Sequence, residues 1–194
     1  MGDSMTEQNI YQDVSRILRK IDTTRDTPDT KALLAQLRNS IVSNNINVLS
    51  LECLFLNIPE EQLGSGGELN NYEWAILVAV QMYALHQQSR SDSVLTLDSK
   101  YYNLGDSLRA LRSEDSKSID RRFNIMITSR NFGHLQYQLR HFIKLLKARS
   151  DAKVNYAKLA DDLYWFLRGS KDNVKIAWSR SYYKATKEHS EGEN

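Results

Sequence analysis

Little in this sequence breaks a helix, and nothing in it can staple one. The single cysteine, Cys53, leaves no disulfide to form within the chain and points to a reducing compartment. Because Cys53 lies in the apolar run Leu51–Phe55, it reads as a buried, inert thiol rather than a nucleophile. Two prolines and eight glycines in 194 residues leave few enforced breaks, which favours helices. Long hydrophobic runs are also missing. The longest, Trp74 to Val80 with a resumption at Met82 to Leu85, is too short to span a bilayer and reads as a buried core helix. The opening MGDSMTEQNIYQ has no basic segment followed by an apolar one, so no signal peptide is expected there. A soluble, cytoplasmic protein without a membrane partner is expected.

The usual marks of catalysis are missing too. Gly64, Gly66 and Gly67 form a flexible loop, but no Gly-Lys-Ser/Thr follows to make a phosphate cradle. There is no His-Glu-x-x-His, no nucleophile elbow and no dinucleotide fingerprint. Among His86, His134, His141 and His189, the pair His134 and His141 could share a helix face. No cysteine or carboxylate in that stretch joins them, and zinc takes four ligands at recognisable spacing. Asp161 and Asp162 are adjacent, so their side chains diverge by about 100° on a helix, and pairing with a nearby lysine fits them better than metal binding. The chain therefore reads as non-enzymatic, with no metal and no cofactor.

One further absence is local. Between Asp120 and Asp151 there is no carboxylate, while Arg121, Arg122, Arg130, Arg140, Lys144, Lys147 and Arg149 all fall there. Surface helices ordinarily mix both signs, and a one-sign surface repels itself until a polyanion relieves it. The formal net charge of +2 conceals this asymmetry. Residues 1–99 carry 7 Lys+Arg against 13 Asp+Glu, and residues 100–194 carry 19 against 11. An acidic half joined to a basic half suggests a molecule with one polyanion-facing side.

The periodicity predicts an all-α bundle of about eight helices in two packed lobes, residues 1–90 and a basic lobe at 91–194, parted at the polar stretch Gln88–Ser93. Ile10, Val14, Ile17, Leu18 and Ile21 predict an amphipathic helix over about Thr6–Asp22. Thr27 should cap a second helix opened by Pro28 and ended at Asn44-Asn45, with Leu33, Leu34, Leu37 and Ile41 inward and Arg38 on another face. A short helix is expected at Val48–Leu56, and Asn70-Asn71 should cap the central helix to Gln87. Val94–Leu97 reads as a brief extended piece. The helix over Asn103–Arg112 turns Leu104, Leu108 and Leu111 inward and Arg109 and Arg112 outward. Two helices meeting at Thr128–Asn131 carry the basic run. In the first, Ile119, Phe123, Met126 and Ile127 face the core, Arg121 lies opposite and Arg122 at the border. In the second, Phe132, Leu135, Leu139, Phe142, Ile143 and Leu146 form the apolar stripe, and Tyr137, Arg140, Lys144 and Lys147 form a separate one. Tyr156–Leu167 and a last helix capped by Asp172 complete the chain, with Lys187–Asn194 frayed. Trp74, Trp165 and Trp178 sit in apolar helical patterns and read as core, which leaves Tyr137 as the stacking candidate beside Arg140.

Several segments resemble one family. They are Ala32–Arg38, Asn103-Leu104-Gly105, Asp120–Phe123, Leu139–Leu146, Asn155–Trp165 and Trp178–Tyr183. In order and spacing these are similar to the small helical subunit, the CasB family, of the type I-E CRISPR Cascade surveillance complex. The resemblance implies a non-catalytic, two-lobed helical protein, present in two copies beside guide RNA and the backbone and large subunits. It also implies a basic groove that holds the single-stranded DNA displaced in R-loop formation. Arg38, Arg121, Arg122 and Arg140 match family arginines. Asn39 stands where a second arginine is usual, and His141 where some relatives carry another basic residue. Together with Arg109, Arg112, Tyr137, Lys144 and Lys147, these arginines are the candidate nucleic-acid-binding residues. The alternative is a helical structural adaptor whose basic face docks an acidic protein.

Overall fold

A computed structural model describes residues 9–43, 46–113 and 116–184. Nine α-helices are present among the described residues: α1 (Ile10–Thr23), α2 (Pro28–Ser43), α3 (Val48–Phe55), α4 (Asn71–Gln87), α5 (Leu104–Leu108), α6 (Lys117–Ile127), α7 (Phe132–Arg149), α8 (Tyr156–Leu167) and α9 (Lys171–Tyr183). Glu60–Gln62 and Arg109–Leu111 form 3-10 turns. The protein is all-α, as its periodicity predicts.

The bundle is built around α4. The Asn70 side chain accepts from the Glu73 N–H at 2.9 Å, and the Glu73 carboxylate accepts from the Asn70 N–H at 2.7 Å, so two of the free N–H groups at the helix start are satisfied reciprocally. From Tyr72 to Gln87 every residue but Trp74 is buried. A helix without a polar face must be covered on all sides. α8 and α1 cover one flank, α2 another and α7 a third. The apolar stripe of α1 is buried as its spacing dictates, at Ile10, Val14, Ile17, Leu18 and Ile21. Described residues of both segments, before and after residue 90, share one buried cluster. α8, from the second segment, makes its main contacts with α4 and α1, from the first. The extended piece is a single parallel bridge between Leu95 and Val154, in which the Val154 N–H donates to Val94 O at 2.9 Å and the Thr96 N–H donates to Val154 O at 3.2 Å.

Gly105 brings α5 onto α9. A Cβ at this position would stand 2.1 Å from the Trp178 carbonyl oxygen, so only glycine permits that backbone approach. Trp178 is fixed from its other end: its Nε1 donates to Asp162 Oδ2 at 2.6 Å. Lys158 donates to Asp161 at 2.6 Å and to Asp162 at 2.7 Å, which is the lysine pairing expected for the two aspartates. Burial works to lower the Lys158 ammonium, but Asp162 and Asp161 hold it above its ordinary value.

Some local expectations are corrected. The last helix opens after Ser170, and Asp172 sits inside its first turn, where its charge suits the helix dipole without capping it. Trp165 is 47% exposed, because α8 turns its opposite side to α1 and α4. The helix expected to reach Arg112 ends at Leu108 and tightens into a 3-10 turn. Arg122 is fully on the surface rather than at the core's border. Cys53 is only partly buried, yet burial still pushes its thiol up to about 11 and keeps it inert. The expected start of the first helix at Thr6–Gln8, the break at Asn44-Asn45 and the terminal Lys187–Asn194 lie outside the described residues.

Candidate nucleic-acid interface

The candidate surface is built on α7. Asn131 caps it by accepting from the His134 N–H at 2.8 Å, and Leu135, Leu139, Phe142, Ile143 and Leu146 bury its apolar stripe. That leaves Tyr137, His141 and Lys144 on the outer crest. At the far end the Arg90 guanidinium, on the turn after α4, donates to the carbonyls of Lys147 and Ser150 at 2.6 and 2.7 Å and to Asp151 Oδ1 at 2.6 Å. A cation on the last carbonyls satisfies acceptors that the helix leaves open and complements its dipole. Lys147 is anchored nearby, its Nζ donating to Gln88 Oε1 at 3.1 Å.

The cations divide along the two flanks of this crest. On the α6 side, Lys117, Arg121, Arg122, Tyr137, Gln138 and His141 line one recess. A second recess beside it is lined by Arg122, His141, Lys144 and Arg149. On the α2 and α4 side, Arg140 and Tyr137 line a hollow with Ser40, Trp74 and Gln81. Arg38 sits close to Lys147, its Nη1 reaching Ala84 O at 3.4 Å. Tyr137 borders both flanks and is 57% exposed.

The electrostatics of the ridge are those of crowded like charges. Burial lowers the His141 imidazole below its ordinary value, and Lys144, Arg122 and Arg140 lower it further. Burial also depresses the Lys147 ammonium, with Arg38, Arg90 and Lys144 adding to the effect. Partial burial lowers the Arg38 guanidinium. At His141 and Lys147 neighbouring cations add to the effect of burial, and an anion laid along the ridge would relieve them.

Two candidates stand apart. Arg112 is engaged inside the protein: its Nε donates to Asp120 at 3.2 Å, and its guanidinium lies 5.2 Å from the Tyr182 and Tyr183 rings. Arg109 sits on the 3-10 turn that packs against α7 and α9, and lines none of the three recesses. Conversely, Lys117 and Gln138 line the recesses without being singled out from the sequence, and Arg149, named there only as part of the basic run, joins them. Spacing signals one of them, since Lys117 precedes Arg121 by four residues and shares its helix face. Nothing local signals that Arg90 reaches α7 from 57 residues away.

Fold and surface together define a class: an all-helical bundle with one cationic ridge free of carboxylates. The chain belongs to the CRISPR-associated protein Cse2 family, which its sequence matches over residues 33–183. It is also similar to solved structures. For CasB from Thermobifida fusca the identity is 25% and the TM-score 0.72, covering 90% of this chain and 97% of that one. For CasB from M. ruber the values are 23% and 0.66, covering 90% and 93%. For CasB from Thermus thermophilus they are 19% and 0.64, covering 89% and 98%. The last two likenesses speak to fold. No curated protein matches the sequence. The family is the one that the segments from Ala32 onward resemble.

Proposed function

We propose that this chain is a non-catalytic, cytoplasmic subunit of a type I-E CRISPR Cascade ribonucleoprotein. In this reading it grips the displaced DNA strand by its phosphates and so holds the R-loop open. The carrying observation is the α7 ridge: Arg121, Arg122, Arg140 and Lys144 line the recesses on its flanks and Lys147 follows beside Gln88, with no carboxylate from residue 121 to 150. A displaced strand re-anneals with its complement unless it is held elsewhere. Neutralising its phosphates on a fixed cationic surface favours the open state without reading sequence. Arginine suits the task because its planar fork meets two phosphate oxygens together. The partners of this reading are guide RNA, the displaced strand, the backbone and large subunits and a second copy of the chain. A non-catalytic role is supported by the engagement of Asp161 and Asp162 with Lys158. Among the described residues no group of three or more His, Cys, Asp or Glu is placed to hold a metal ion. No helix among them is long and apolar enough to cross a membrane.

The test is reconstitution of the complex with and without this chain, followed by single-strand-specific nuclease digestion of the R-loop. The displaced strand should be protected when the chain is present, and Arg121→Ala with Arg122→Ala should remove much of that protection. A strand equally open to digestion in all three assemblies contradicts the proposal.

A further inference from the structure

The recess between α6 and α7 differs in kind from the rest of the ridge. Its volume is about 630 Å³, within the range of pockets that take small ligands. Cations rim it at Lys117, Arg121 and Arg122, yet its walls include two uncovered apolar groups, Tyr137 at 57% exposure and Ile125 at 42%. Gln138 adds an amide. A surface that met phosphate alone would have no use for an uncovered phenol ring and sec-butyl group between its arginines, and water is a poor partner for their apolar faces.

The Tyr137 ring is held rather than loose. His141 lies edge-on to it, with ring centroids 4.5 Å apart and planes at 71°. Burial lowers that imidazole below the ordinary histidine value, and Lys144, Arg122 and Arg140 lower it further. His141 also forms the wall shared with the second recess, where Arg122, Lys144 and Arg149 stand without a carboxylate. An aromatic platform therefore adjoins a carboxylate-free cationic recess one side chain away.

Resting on the function proposed above, we infer that the α6–α7 recess is a base-stacking subsite, which takes one unstacked base of the single strand on Tyr137 and seats the flanking phosphate at Arg122 and Lys144. Charge complementarity selects this occupant over a hydrophobic peptide, and the exposed aromatic wall selects it over an acidic one. Stacking on tyrosine is sequence-tolerant, because every base has a π face, so the subsite adds affinity without adding sequence readout. The strand is then fixed in register at one point of an otherwise electrostatic track.

The experiment compares a mixed-sequence DNA single strand with a fully abasic strand of the same length, each bound to the full chain. Both carry the same phosphates. The natural strand should bind about five- to a hundredfold more tightly, the range that one stacked base contributes. Tyr137→Ala should erase the difference, and Tyr137→Phe should keep it. Tyr137 is exposed, so neither change touches the core. Equal binding of the two strands, unmoved by Tyr137→Ala, overturns the subsite while leaving the phosphate track standing. Failure of both strands to bind overturns the functional reading itself. A poly-glutamate peptide that displaces the natural strand more effectively than the abasic strand does also overturns the subsite, since it assigns the recess to an acidic protein.

Discussion

His86 is buried at 1% exposure on α4, and its Nδ1 shares a hydrogen bond of 2.8 Å with the hydroxyl of Tyr156, which is itself fully buried. Burial, with Arg90 and Lys147 adding to it, lowers the imidazole to about 4. The unfolded chain binds this proton near 6.5, the folded chain only near 4. Stability is therefore unaffected above the first value and falls as pH drops from one to the other, because the unfolded state holds more protons throughout that window. The loss should total about 3 kcal/mol, measurable by urea unfolding across about pH 7 to 4. In His86→Gln this component should vanish from the pH profile; a profile unchanged by the substitution would show that His86 does not carry it. A burial of this kind is legible from the sequence in outline, since the Trp74–Leu85 run calls for a covered helix. The partner is not, because Tyr156 lies 70 residues away.

At the scale of the element, helices were readable wherever one face was apolar and the start carried its own cap. Asn70 and Asn131 each precede a helix and cap it through their side chains, as residue type suggests. The reading failed where geometry is set from a distance. Ser170 opens α9 rather than Asp172, and α5 ends at Leu108 in a 3-10 turn while α9 meets it at Gly105. Gly105→Ala should force the α5 backbone away from the Trp178 carbonyl, at a cost of about 1–3 kcal/mol by analogy with other overpacked sites. Differential scanning calorimetry should show a lower melting temperature. If the variant melts with the parent, the 2.1 Å approach is not a real constraint on the fold. The candidate site was legible to a similar degree. Helical phase places Tyr137, Arg140, Lys144 and Lys147 on one stripe of α7; the structure sets Tyr137 on the crest, Arg140 and Lys144 on opposite flanks and Lys147 against Gln88. Phase alone could not show that Arg112 is held by Asp120 and Tyr182, since those contacts depend on where α6 and α9 dock.

Across the whole molecule, the charge asymmetry between the halves becomes spatial. The acidic first half supplies α1, α2 and α4 as the scaffold that α7 and α8 lean on, and the carboxylate-free run emerges as a ridge. Arg38 is the first half's contribution to that ridge, close to Lys147. The central claim is that this surface binds single-stranded DNA by its phosphates. The most direct measurement is the salt dependence of binding to a mixed-sequence single strand, for the parent chain and for Arg121→Ala with Arg122→Ala. Both arginines are exposed, so the double variant should fold normally. If about six cations engage, log affinity should fall against log salt with a slope of roughly −4. The double variant should bind all sequences more weakly and shallow the slope by about 1 to 1.5. Unchanged affinity and slope in the folded double variant, or a strong preference of the parent for one base sequence, would contradict the account.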